Sequence, residues 1–184
     1  GDVDEKLVQA AAESTEEHAK NPNPKKDELA ALREKFSKPI ANTLMETARQ
    51  QYGSDLKKST QNQLERKIQE TTDTVVSREY GDYTIRDHQL EKERDDRIAE
   101  AQKSGASMTE ITRLDDEYTK RRLEGYKQMV DNILKKLNSE ETVKKAAETI
   151  VETVETEKLN SEKDSIEGSV RDHLRGFSRT IPAF

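Results

Sequence analysis

Apolar residues recur along most of this chain at intervals of three and four, the spacing of helices that each bury one side. Leu7, Val8, Ala11 and Ala12 give residues 1–20 a small apolar face, which predicts an N-terminal helix. Asn21-Pro22-Asn23-Pro24 stops it, because proline removes a backbone donor and drives the preceding residue out of the helical region. Residues 21–26 therefore read as a linker. Leu29, Leu32, Phe36, Ile40, Leu44 and Ala48 then mark a helical segment over 27–53, with a kink expected at Pro39 and an end at Gly53.

Residues 54–138 predict a long antiparallel helical hairpin. Ser54 and Asp55 can cap its first helix, whose stripe is Leu56, Leu64, Ile68 and Val75, with Thr60 and Thr71 between them. Tyr80, Ile85, Leu90 and Ile98 continue the stripe loosely through a dense run of charges. Lys103 to Ser107 is a short turn, and Ser107 stands three residues before Glu110, the spacing of a capping box. Ile111, Leu114, Tyr118, Tyr126, Val130, Ile133 and Leu137 give the second helix a narrow seam. Folding the two helices back on each other buries both seams. In the remaining segment, 139–184, Ser139 can cap a helix whose face is Val143, Ala147, Ile150, Val151 and Val154. A break is expected at Asn160-Ser161, before a last helix from Glu162 to Phe177. The fold class is thus all-α and elongated.

Composition explains why the seams are narrow. Of 184 residues, 38% are charged and 30% hydrophobic, against about 25% and about 45–50% in ordinary globular domains. Such a chain can cover a few stripes rather than a broad core. The net charge of −6 comes from 32 basic and 38 acidic residues, well mixed, which argues against a dedicated basic nucleic-acid-binding domain. Cysteine is absent, so disulfides, thiolate metal sites and cysteine nucleophiles are excluded, and the compartment leans towards the cytoplasm. No apolar run approaches the roughly 18–20 residues of a membrane span, and no membrane partner is expected. The chain opens on Gly1 rather than Met, which reads as part of something longer.

No catalytic, cofactor or metal site is expected. None of the glycines sits in a phosphate-cradling loop, and no Gly-x-Gly-x-x-Gly occurs. His18, His88 and His173 are far apart in sequence and read as surface residues. Glu13, Glu16, Glu17, Asp95, Asp96, Asp115, Asp116 and Glu117 read as a solvated acidic surface. Two basic features remain. For Lys120-Arg121-Arg122 with Lys127, pairing with the chain's own carboxylates is the favoured reading. Arg171, Arg175 and Arg179 recur every four residues, and two readings stand side by side: a cationic stripe suited to a phosphate backbone, or internal pairing with carboxylates such as Glu167 and Asp172. Leu174 and Phe177 are expected to face the other way, towards the protein, and Gly176 to weaken the helix end.

The run Val170-Arg171-Asp172-His173-Leu174-Arg175-Gly176-Phe177-Ser178-Arg179-Thr180-Ile181-Pro182-Ala183-Phe184 resembles a stretch of type I restriction endonuclease R subunits. Those are helicase-containing enzymes that translocate and cleave DNA in bacterial defence. The charged region around Tyr83 to Arg94 is similar in character to their helical middle region. The resemblance implies a non-catalytic helical connector or arm in such an enzyme. Its partners would be other domains or subunits of a restriction complex, and DNA, with Arg171, Arg175, Phe177 and Arg179 as candidate contacts to DNA or to a neighbouring domain. The family's ATP-binding, helicase and nuclease motifs have no counterpart here, so no catalytic residue carries over. A stand-alone coiled-coil adaptor and a helical toxin stalk are the alternatives.

Overall fold

The computed structural model describes residues 2–21 and 27–180, with side chains over 4–21 and 27–176. The predicted linker lies largely in 22–26, outside the described residues. Over the described residues the protein is all-α and elongated, 92% helical in five helices, with no strand. The helices are α1 (Asp2–Lys20), α2 (Glu28–Leu32) running through a π-helical turn (Arg33–Ser37) into α3 (Lys38–Tyr52), α4 (Lys58–Lys103), α5 (Met108–Leu137) and α6 (Glu140–Thr180). At 46 residues, α4 is roughly 70 Å long.

The α2–α3 stripe buries Leu32, Phe36, Ile40 and Ala48, with Leu29 and Leu44 half-buried. The expected kink at Pro39 takes another form. The irregularity lies just before the proline, where the Lys38 amide donates to the carbonyl of Arg33, five residues back. Pro39 follows directly on the π turn within the same continuous helix and brings no N–H to the ladder. The π turn also aims Ser37 inwards, where its hydroxyl lies 2.7 Å from Thr72 Oγ1 and donates to Asp73 at 2.6 Å.

Two apolar clusters hold the bundle. One joins Leu7, Leu32, Phe36, Val76, Tyr83 and Tyr126 to Met129, Ile133 and Leu137. The other joins Ala41, Met45, Ala48, Leu56, Leu64 and Ile68 to Ile150 of α6. Along α4 and α5, Glu79 meets Lys136, Asp87 meets Arg122 and Glu93 meets Tyr118, so residue numbers rise on one helix as they fall on the other. The turn between them closes with Gly105 at φ 77°, its amide donating to Gln102 and that of Ala106 to Ala101. That is a Schellman end, and glycine is the residue that adopts positive φ without strain. Ser107 caps α5 by accepting from the Glu110 amide at 3.3 Å, and Ser139 caps α6 by accepting from the Thr142 amide at 3.3 Å.

Three local expectations fail. Neither Ser54 nor Asp55 caps α4. The helix starts at Lys58, and the Lys57 amide donates instead to Glu157 Oε1 of α6 at 2.9 Å. Asn160-Ser161 is no break, and α6 runs unbroken through it. Asn and Ser are only middling helix formers, and without a proline or a cap geometry they do not stop a helix. Finally, α6 buries Thr142, Ala146, Ile150, Thr153 and Glu157, while Val143, Ala147 and Val151 are exposed. Ile150 packs in the cluster of Leu64 and Ile68 of α4 and Met45 of α3, with Val154 half-buried against it, and Glu157 meets the Lys57 amide just before α4. The buried threonine hydroxyls donate to backbone carbonyls, Thr142 to Lys136 and Thr153 to Thr149, both at 2.7 Å, so neither is buried without a partner.

Candidate functional site

α6 changes environment along its length. Its first half lies on α4, whereas every residue from 158 to 176 except the half-buried Gly168 is exposed. At 1.5 Å per residue, the portion from residue 158 to Thr180 extends roughly 35 Å. The candidate contact residues lie on this free portion. Arg171 is exposed, and its guanidinium stands 4.0 Å from Glu167, the outer limit of an ion pair. Glu167 also stands 4.0 Å from Lys163. Arg175 is exposed as well. Phe177 and Arg179 belong to the backbone of α6, but their side chains lie outside the described residues. The helix continues past Gly176 to Thr180. Leu174 does not turn towards the protein. It is 59% exposed, because nothing in the bundle reaches this far. Leu159, Ile166 and Val170 are also more than half-exposed or at half. At 100° per residue these four fall on one side of the helix.

The other basic feature is largely spent internally. Arg122 grips Asp87 through two bonds of 2.8 and 2.9 Å. That grip, with the charge of Glu91 nearby, raises the guanidinium's pKa further despite partial burial. Lys127 lies 3.6 Å from Glu124, and Arg121 sits over the Tyr118 ring at 5.1 Å. The eight acidic residues assigned to the surface are all exposed, as are His88 and His173.

His18 corrects the surface reading of the histidines. Its exposure is 7%, and its ring stacks on Tyr126 with centroids 3.9 Å apart. The Tyr83 hydroxyl is 3.3 Å from Nε2, and Glu28 is 3.7 Å from Nδ1. Ser14 and Leu7 complete a 7, 11, 14, 18 stripe with Ala11, shifted from the face that Val8 and Ala12 suggested. A cavity of about 290 Å³ opens beside these rings between α1 and α2. Burial, then the charge of Glu28, pushes the Tyr80 phenol up to about 12. Tyr83 is pushed up by burial and by Asp87, and Tyr126 by burial and by Glu28. These phenols stay protonated near neutral pH, so they offer no base. The cluster stitches α1 to α5.

No protein-family model matches the chain, and neither a curated protein nor a solved structure matches it. Among the described residues no group of three or more acidic or histidine side chains could hold a metal ion. Among them, too, no helix is long and apolar enough to cross a membrane.

Proposed function

We propose that this chain is a non-catalytic helical connector or arm of a type I restriction endonuclease R subunit-like, ATP-dependent DNA translocase and nuclease, positioning domains or DNA in the cytoplasm. The observation that carries the reading is the placement of the resembling run. Its arginines ride on a helix that leaves the bundle, with Arg171 only loosely paired and Arg175 exposed. Charge-assisted bonds from such a stripe to phosphates need little rearrangement of the bundle.

Replacing Arg171, Arg175 and Arg179 with Gln in the full-length parent enzyme tests it. DNA association or translocation is expected to weaken, with the melting temperature of this region unchanged. A lowered melting temperature with DNA affinity intact would show that the stripe serves the fold instead. The isolated chain is expected to hydrolyse no ATP and cleave no DNA. Metal-dependent cleavage abolished by one substitution in this chain would refute that part of the reading.

The adaptor reading has one observation in its favour. Leu159, Ile166, Val170 and Leu174 form an exposed apolar side on the free half of α6, of the kind that helix partners cover. Concentration-dependent dimerisation of the purified chain, lost on replacing Ile166 and Val170 with Ser, would favour it.

A further inference from the structure

Arg33, Arg66 and Arg78 line one open groove of about 530 Å³ between the π turn and α4. Among the described residues none of the three finds an ion-pair partner, although Arg49, Arg94 and Arg122 all find carboxylates elsewhere. Arg33 donates from Nη2 to Ser77 Oγ at 2.7 Å, which fixes its plane, while its Nε is buried without an acceptor. The π turn begins at Arg33, and such turns shift a side chain out of the regular helical register.

Two carboxylates share the groove, and they do not act alike. Asp73 is committed to Ser37 Oγ at 2.6 Å and Gln69 Nε2 at 3.0 Å. Glu70 makes no such bonds and sits between the arginines on α4. Three guanidiniums against these two acids leave the groove positive in a chain whose net charge is −6. Along α4, Arg66 and Arg78 are twelve residues apart, about 18 Å. That is longer than one phosphate can bridge. A nucleic-acid strand carries a phosphate about every 3.4 Å of its axis and can meet all three in turn.

We propose that this groove binds the phosphate backbone of a nucleic acid, separately from the α6 stripe. The choice of nucleic acid among extended polyanions rests on the DNA-positioning reading above. The test is fluorescence anisotropy of a labelled 20-base-pair duplex with the purified chain in about 50 mM salt, repeated as salt is raised. The variant R33Q/R66Q/R78Q is expected to bind at least tenfold more weakly, with a salt slope shallower by up to about 0.9 for each arginine lost. Glu70→Gln is expected to tighten binding. Should the triple variant lose helicity by circular dichroism, R66Q/R78Q decides, because those two side chains hold nothing in the bundle.

R171Q/R175Q/R179Q runs alongside to keep the two sites apart. If that variant alone loses the duplex, the groove is overturned and the stripe stands. If the groove variant alone loses it, the groove stands and the stripe falls. Wild-type chain that binds no duplex, or a groove variant that loses only inorganic tripolyphosphate, overturns the inference.

Discussion

The inner and outer portions of the α4–α5 pair are held together by different chemistry. In the inner portion, Val76 and Tyr83 meet Tyr126, Met129, Val130 and Ile133, all nearly fully buried. In the outer portion the contacts are polar. Arg122 forks onto Asp87, Tyr118 donates to Glu93 at 2.9 Å, and Arg97 donates to the Tyr118 hydroxyl at 3.2 Å. Arg94 draws in Asp95 at 3.1 Å and Asp115 at 3.8 Å. Tyr118 is the only large side chain there that is fully buried among the described residues, its ring also carries Arg121, and Leu90, Ile98, Ile111 and Leu114 are only half-buried. A chain this poor in apolar residues concentrates them where several helices meet. It extends beyond that point with ion pairs, which hold register more than they stabilise.

The largest expected effect is on the inner portion. Ile133→Ala removes a fully buried side chain and should destabilise by about 2–5 kcal/mol, read from urea unfolding. A loss below about 1 kcal/mol would mean that the apolar cluster does not carry the stability. Next comes Arg122→Ala, which leaves Asp87 half-buried without its fork. A loss of about 2–3 kcal/mol is expected, smaller than for a fully dry pair. The double variant with Asp87→Leu should recover most of it. Failure of that recovery would make the fork a net stabiliser and erase the contrast between the two portions. The smallest effect is at the tip. Gly105→Ala forces a side chain into positive φ and should lower stability by about 1 kcal/mol, with faster amide exchange limited to the turn. Exchange that spreads inwards to Tyr83 would join tip and inner portion into one cooperative unit.

How much was legible in the sequence varies with the range of the interaction. Local signals held: the Leu32–Phe36–Ile40–Ala48 stripe, the Ser107 and Ser139 caps and the glycine turn all depend on neighbours within a helical turn or so. What failed depends on distant partners. His18 is buried because Tyr126, more than a hundred residues away, offers a ring to stack on. The start of α4 is set by Glu157, a hundred residues on, and not by adjacent Ser54 or Asp55. The buried side of α6 follows Leu64 and Ile68 of α4 and Met45 of α3, so the expected face is right at Ile150 and Val154 and wrong at the exposed Val143 and Val151. At the candidate stripe, the pattern located Arg171 and Arg175 on a helix, but it could not say that Leu174 would lack anything to rest on. The arginine groove had no signature either, since Arg33 reaches Arg66 and Arg78 only through tertiary packing.

The unbroken course of α6 fixes the heading of its free end as well as its distance from the bundle. Its inner half is keyed to the bundle by Ile150 and Glu157, and its outer half inherits that angular setting with no joint between. One residue inserted after Lys158 would swing Arg171 and Arg175 around the axis by about 100° while moving them outwards by only about 1.5 Å. Adding seven would return them to within about 20° of their original heading, some 10 Å farther out. Azimuth and reach at the free end are therefore locked together, both fixed by the number of residues between clamp and tip.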